Sequence, residues 1–333
     1  MRVAIDATPL TLSSGGLTRY TVELARALLS QFPEDEYLLV SHGMERGWWL
    51  WGAQREMDRL GADLFHGTNF EAPYLPVRPS VISLHDLSPW MDRSWHHAAE
   101  RVRRRTPALI KLGIATMVIT DSEAVRRQAI GHFRIHPGRI VAVPLAAAAR
   151  FKPTAGKAER PYFLYVGTLE PRKNIPMLVE AWRPVWNSHG IELVLAGRRR
   201  QDFPPLPDEP GLRMPGEVSD EDLPALYSQA LAFVYPSLYE GFGLPVLEAM
   251  QCGAFVITSR DPAIGEVVGE AGLRLDARNP RLWTEALLAC AQRGKWLDDR
   301  RAQSLARARE FSWERTARRT REVYIQAKRR FNA

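Results

Sequence analysis

The chain has 333 residues, 45% hydrophobic and 25% charged, an ordinary globular composition with length for two cores of about 150 residues each. Its two cysteines, Cys252 and Cys290, make no CxxC pair and no zinc-spaced His/Cys cluster, which excludes a disulfide scaffold and a zinc module and leads us to expect a reducing, cytoplasmic setting. The net charge of +7 lies mostly in residues 1–160, with 21 basic against 16 acidic side chains, while the remainder holds 24 against 22; this bias suits nucleic acid, anionic lipid or phosphorylated small molecules.

Met1 and Arg2 lead straight into the apolar run Val3–Ala4–Ile5, so no secretory leader is expected. The longest apolar stretches, such as 112–120, fall short of the ~20 residues of a membrane span. Short apolar runs alternate with amphipathic stretches, the pattern of an α/β fold of parallel βαβ units. Strands are expected at 2–7, 37–41, 64–66, 80–85, 116–120 and 140–143. The segment 151–161 carries Pro153, Gly156 and Pro161 with little apolar content and reads as a linker. The pattern then restarts, with strands expected at 162–166, 192–196, 231–235, 255–258 and 273–275. The Arg-rich tail 300–330 leaves Phe311, Trp313, Ala317, Val323, Tyr324 and Phe331 at helical spacing, and reads as an amphipathic helix at the domain junction.

Four segments could carry chemistry. After the first strand, Ser13-Ser14-Gly15-Gly16-Leu17-Thr18-Arg19-Tyr20 opens a helix, and Gly15 and Gly16 let bare backbone donors approach an anion at its N-terminus. A structural turn explains the glycines equally well, and the dinucleotide fingerprint GxGxxG is not present. His85, followed by Asp86, ends the strand at 80–85. After the strand at 162–166, Gly167-Thr168-Leu169-Glu170-Pro171-Arg172-Lys173-Asn174 resembles a Walker loop in layout, yet Arg172 occupies the second glycine position and Asn174 replaces the Mg-binding hydroxyl. Two adjacent cations at a helix start are disfavoured by the helix dipole unless an anion binds there.

The most specific segment is Glu240-Gly241-Phe242-Gly243-Leu244-Pro245-Val246-Leu247-Glu248-Ala249-Met250, a glycine-rich turn between strand and helix. Glu240 in the turn and Glu248 in the first helical turn suit a hydroxyl-rich ligand, because ionised carboxylates accept hydrogen bonds from vicinal diols. Metal sites are not expected: Asp220-Glu221-Asp222 follows Ser219 as a capping box, and His96-His97 makes no metal motif.

These four segments together, EGFGLPVLEAM, GTLEPRKN, GGLTRY and SLHDLSP, resemble glycosyltransferase family 4 over nearly the whole chain. That resemblance implies the GT-B fold, two facing Rossmann-like domains with parallel sheets and a C-terminal crossover helix. It implies an acceptor domain at 1–152 joined by about 316–333, a linker at 153–160 and a nucleotide-sugar domain at 161–315. It further implies a retaining, metal-independent hexosyltransferase with a nucleotide-diphosphate sugar as co-substrate and no cofactor. By the same resemblance, Glu248 holds the ribose; Glu240 and the backbone of Phe242, Gly243 and Leu244 hold the donor sugar. Arg172, Lys173 and the Gly15-Gly16 turn hold the diphosphate, and His85 lies near the anomeric centre. Thr168 departs from the Arg that many relatives carry, a contact that Arg172 could supply.

The opening 5–20 and SLHDLSP look like the branch with bacterial mannosyltransferases of polysaccharide assembly, so GDP-mannose is the first expected donor and a UDP-hexose the second. A glycan or lipid-linked acceptor is expected, and no nucleic acid, for which no helix-turn-helix, finger or RNP signature exists. An epimerase of the same architecture and an inactive sugar-nucleotide-binding protein are the alternatives. Trp48, Trp49, Leu50 and Trp51 with Arg101, Arg103, Arg104, Arg105 and Lys111 fit either peripheral contact with an anionic membrane at its inner face or a buried aromatic cluster beside a solvated helix.

Overall fold

Val3, Ala4 and Ile5, like Val81 and Ile82 and like Phe163, Leu164 and Tyr165, are completely buried. Strands buried on both faces read as continuous apolar runs and belong in parallel sheets covered by helices. The structure, a computed structural model, describes residues 1–12, 15–41, 47–97 and 99–333. The chain forms two units, Met1–Ala146 with Ser312–Ala333, and Ala147–Phe311.

In the first unit the strands β1 (Arg2–Asp6), β2 (Glu36–Val40), β3 (Leu64–Gly67), β4 (Ser80–Leu84), β5 (Met117–Thr120) and β6 (Ile140–Ala142) pair in parallel in the order β2-β1-β3-β4-β5-β6. The second unit holds β7 (Tyr162–Val166), β8 (Glu192–Ala196), β9 (Leu212–Gly216), β10 (Ala232–Tyr235), β11 (Val256–Ser259) and β12 (Leu273–Leu275), ordered β12-β11-β10-β7-β8-β9. In each sheet the chain runs outward from one inner strand and then returns to that strand's other side. The reversals, β1/β3 and β7/β10, are topological switch points, where loops diverge at the carboxyl ends of the strands and leave a crevice.

Strand β9 is absent from the sequence expectations. Leu-Arg-Met-Pro-Gly has no alternation, sits at the sheet edge with three exposed central residues, and tolerates Pro215 because an edge strand need not donate on its outer side. The aromatic run 48–51 divides in two. Trp48 and Trp49 open a π-helical turn (Trp48–Gly52) and pack into a core with Ala4, Val40, Met57 and Phe65, while Leu50 and Trp51 are 47% and 58% exposed. The basic helix Glu100–Lys111 is also partly occupied: Arg101 pairs with Glu71, Arg103 donates to the Pro89 and His96 carbonyls, and Arg105 donates to the Tyr74 hydroxyl. Among the described residues no helix is long and apolar enough to cross a membrane.

The tail is helical from Trp313 to Phe331, with Ser312 capping its N-terminus. Trp313, Ala317, Val323 and Tyr324 of the expected stripe are buried, joined by Thr316, Thr320 and Ala327, whereas Phe311 and Phe331 are half-buried. The helix packs on helix Gly16–Gln31. Arg321 bonds Asp35 and Glu34, and Thr316 Oγ1 donates to the Pro144 carbonyl.

A buried polar chain links this helix to the sheet. The Tyr324 hydroxyl meets His66 Nδ1 at 2.7 Å, His66 Nε2 meets Ser83 Oγ at 2.9 Å, and Ser83 Oγ meets the Tyr20 hydroxyl at 2.7 Å. Burial, reinforced by nearby His85, pulls the His66 imidazole down to about 3, so it is neutral. A His depressed below its unfolded value contributes stability that is full above pH 6.5 and declines as pH falls toward 3. We therefore predict that denaturant-measured stability falls by up to about 1.4 kcal/mol per pH unit below 6.5 through this group. Replacement Tyr324→Phe, which leaves Nδ1 unpartnered, costs about 1–3 kcal/mol at pH 7.5; unchanged stability would contradict the linkage.

Candidate active site

At the β7/β10 switch point two loops meet. The first leaves β7 through Gly167, where a Cβ added to Gly197, in the loop after β8, would stand 2.0 Å from the Gly167 carbonyl oxygen. Only glycine at 197 allows these backbones to lie so close. The chain then forms a single 3-10 turn, Pro171–Lys173, and passes through Asn174 at φ +57° into helix Ile175–His189. Arg172 and Lys173 therefore sit in a tight turn just before the long helix, not in its first turn, and both are buried.

The second loop leaves β10 and brings Glu240 to them. Glu240 Oε2 accepts from Arg172 Nη1 at 3.1 Å, and Oε1 accepts from Lys173 Nζ. The Arg172 guanidinium also reaches Glu170 Oε1 at 2.8 Å, and Glu170 Oε2 accepts from Arg200 Nη1 at 2.7 Å. Lys173 Nζ donates to the Tyr235 hydroxyl at 2.9 Å and lies over the Tyr235 ring, itself stacked on Tyr165. Three cations thus meet two buried carboxylates, and Arg200 also pairs with the carboxylate of Asp202. Burial alone would raise the Glu240 carboxyl, but Arg172 and Lys173 override it and hold the pKa at about 2. Burial, then Arg172, pulls the Lys173 ammonium down despite Glu240.

Beyond Glu240 the turn ends at Gly243, whose φ of +97° sets the entry into helix Leu244–Gln251. No side chain caps this N-terminus; Pro245 carries no N–H, and the Val246 and Leu247 N–H groups donate to the Gly243 carbonyl oxygen. Asp261, capping the next helix, accepts from the Glu240 backbone N–H at 3.2 Å and from Ala263 and Ile264. Glu248, expected in the first helical turn, is the fifth helical residue; it is fully buried and accepts from the Tyr227 hydroxyl at 3.0 Å. Phe242 is buried edge-on to Phe311. The expected capping box at 219–222 takes the form of a turn: Ser219 Oγ accepts from the Asp222 N–H, and the helix begins at Leu223.

The remaining candidates belong to the first unit. Gly15 precedes helix Gly16–Gln31, again with no side-chain cap; Ser13 and Ser14 of the same motif lie outside the described residues. His85 lies just past β4, with Nδ1 2.8 Å from Asp121 Oδ2 and Nε2 2.7 Å from the Thr68 carbonyl oxygen. The structure therefore brings Arg172, Lys173 and Glu240 together, with Gly243 and Leu244 closing the same turn. Sequence reading missed Glu170 and Arg200 as members of the cluster and Asp121 as the partner of His85. Asp121, directly after the apolar run Met117–Thr120, follows the same strand-end rule that singled out His85.

Two parallel six-stranded sheets, each with polar groups gathered at the carboxyl ends of its strands, have the architecture of the GT-B glycosyltransferases. Over 98% of both chains the fold matches a sucrose-phosphate synthase from Thermosynechococcus elongatus (TM-score 0.79, 18% identity). It matches Anabaena HepE, solved in complex with UDP-glucose, over 98% of this chain and all of that one (TM-score 0.76, 17% identity). Residues 160–293 match the family model for glycosyl transferases group 1. The chain is also 36% identical over 282 residues to O-antigen chain mannosyltransferase B of Escherichia coli, covering 78% of this chain and 74% of that one. The protein belongs to the group 1 glycosyltransferases.

The cluster makes Glu240 a structural keystone whatever it binds. Glu240→Gln leaves two buried cations short of one countercharge and is expected to cost about 3–5 kcal/mol in chemical denaturation. Adding Lys173→Met is expected to return part of that loss. Equal stability of the single variant and the wild type would show that the cations are solvated instead.

Proposed function

We propose that the protein is a retaining, metal-independent hexosyltransferase that moves mannose from a nucleotide-diphosphate donor to a glycan or lipid-linked acceptor. The observation that carries this reading is the Arg172–Glu240–Lys173 cluster at the β7/β10 switch point, beside the uncapped N-terminus of helix Leu244–Gln251. Departure of a nucleoside diphosphate builds negative charge on the leaving phosphate, and fixed cations with backbone donors stabilise such charge without reorganising. In the proposed roles Lys173 and Arg172 take the diphosphate. The turn Glu240 to Leu244 takes the sugar, and Glu248 takes the ribose as Tyr227 yields its place. The C1–O bond to phosphate breaks, the acceptor oxygen bonds C1 on the same face, and the acceptor proton leaves with the diphosphate. Glu240 is no nucleophile in this scheme, because both its oxygens are engaged by cations.

GDP-mannose is the first donor to test, supported by the Escherichia coli relative, which is named a mannosyltransferase; a UDP-hexose is second, supported by the HepE complex. In a thermal-shift panel of GDP-, UDP- and ADP-sugars, the true donor at 100 times its dissociation constant should stabilise by about 2.7 kcal/mol. Lys173→Ala and Glu248→Ala should each weaken donor binding by about 1.5–3 kcal/mol in calorimetry. Unchanged affinity in both variants would end this site assignment. Sugar transfer should survive EDTA, and a loss restored only by Mg²⁺ would contradict the metal-free reading.

A lipid-linked acceptor is favoured by the exposed pair Leu50 and Trp51, which follows Trp49 in the chain; the Trp49 carbonyl accepts from the Tyr74 N–H, and the Tyr74 hydroxyl accepts from the cation Arg105. We expect the full chain to sediment with vesicles containing anionic lipid and to be released as salt shortens the Debye length. No binding at low salt would favour a soluble glycan acceptor.

A further inference from the structure

Thr68, His85 and Asp121 are each the first residue beyond a strand, on the adjacent strands β3, β4 and β5. His85 is wedged between the other two. Its ring meets Tyr20 edge-on at 4.8 Å and Phe70 at 6.2 Å, so it has little room to turn. Both ring nitrogens face acceptors, the Asp121 carboxylate and the Thr68 carbonyl oxygen. A carbonyl cannot donate, so Nε2 carries a hydrogen. Asp121 is 3% exposed and its Oδ1 is buried without a hydrogen-bond partner, which leaves His85 as its hydrogen-bonded countercharge. Burial raises the Asp121 carboxyl and the facing His85 imidazole opposes that rise; Asp121 is ionised here only with a protonated ring beside it.

The groups facing the ring from other elements are Asp121 after β5, His66 on β3 and Tyr20 on helix Gly16–Gln31; Asp86 follows in the chain and is turned to the Ser88 backbone and hydroxyl. Burial pulls the His85 imidazole down, but Asp121 and the Thr68 carbonyl override it and raise it above its ordinary value, while burial raises the Tyr20 hydroxyl.

We propose that Asp121 is a positioning residue for sugar transfer: together with the Thr68 carbonyl it fixes His85 as a doubly protonated ring at the carboxyl edge of the first sheet, unable to take the acceptor's proton. The role in transfer rests on the proposed transferase function and on the place near the anomeric centre that the resemblance implies for His85; the protonation state does not.

The test begins with the wild-type chain labelled with ¹⁵N-histidine. Its His85 ring should show two protonated nitrogens at pH 7.5, and a pyridine-type nitrogen there would overturn the proposal with no variant needed. In Asp121→Asn the ring should titrate at least about one pH unit lower, since a tenfold change in proton affinity is a modest estimate for a lost buried countercharge. With transfer assayed across pH, activity should be lost as pH rises through the His85 titration, and that limb should move to lower pH in Asp121→Asn. At pH 7.5 the variant's kcat should fall about 10- to 100-fold while donor KM changes far less, as expected for a misoriented group rather than a lost contact. A wild-type pH profile in the variant overturns the positioning role. A doubly protonated ring in a chain that transfers no sugar from any tested nucleotide overturns that role too, and locates the failure in the transferase reading rather than in the pairing.

Discussion

Everything proposed for the donor site depends on one carboxylate. Glu240 is buried, yet Arg172 and Lys173 hold its pKa at about 2. Remove it and two cations would be stranded in a low-dielectric pocket; keep it and they are rigid, aligned and desolvated, ready to exchange part of their partnership for phosphate oxygens. The cost of gathering charges out of water is carried by the scaffold, since Tyr165, Tyr235 and the paired glycines 167 and 197 fix the loops around them. Arg172 and Lys173 share Glu240, Arg172 and Arg200 share Glu170, and Arg200 also pairs with Asp202, so the buried charges form one connected network.

The first unit applies the same chemistry with the signs reversed. At the ends of β3, β4 and β5 a buried aspartate holds a histidine, while a second histidine a strand away stays neutral within a chain of hydroxyls. The charged member lies at the carboxyl edge. The neutral member, His66, is spent on anchoring helix Trp313–Phe331 through Tyr324. Two histidines of ordinary intrinsic basicity are thus driven to opposite states by whether a carboxylate or a hydroxyl faces them.

Much of this is legible in the sequence, for a physical reason. Parallel strands buried on both faces must be continuous apolar runs, so Tyr162–Val166 and Glu192–Ala196 stand out with their boundaries intact. The edge strand Leu212–Gly216 does not, because an edge with exposed residues imposes no such pattern. Arg172, Lys173 and Glu240 are legible as strand-end residues in unusual turns. That they bind one another is not, since their contacts join residues 67 and 68 positions apart. The division of Trp48–Trp51 into two core and two exposed side chains is hidden for a similar reason: it follows from a π-helical turn that no helical or strand periodicity announces. Asp121 is legible as a strand-end residue, but its pairing with His85, 36 residues earlier, is not.

The central claim is that Lys173 meets the donor's phosphates and not merely Glu240. A thermodynamic cycle decides it: bind the nucleoside diphosphate and the corresponding nucleoside to the wild-type chain and to Lys173→Ala, and compare the loss caused by each change alone and together. Direct contact predicts a coupling of about 1.5–3 kcal/mol between the side chain and the phosphates. Additive losses, with the variant weakening nucleoside and nucleoside diphosphate alike, would contradict it and reduce Lys173 to a structural partner of Glu240.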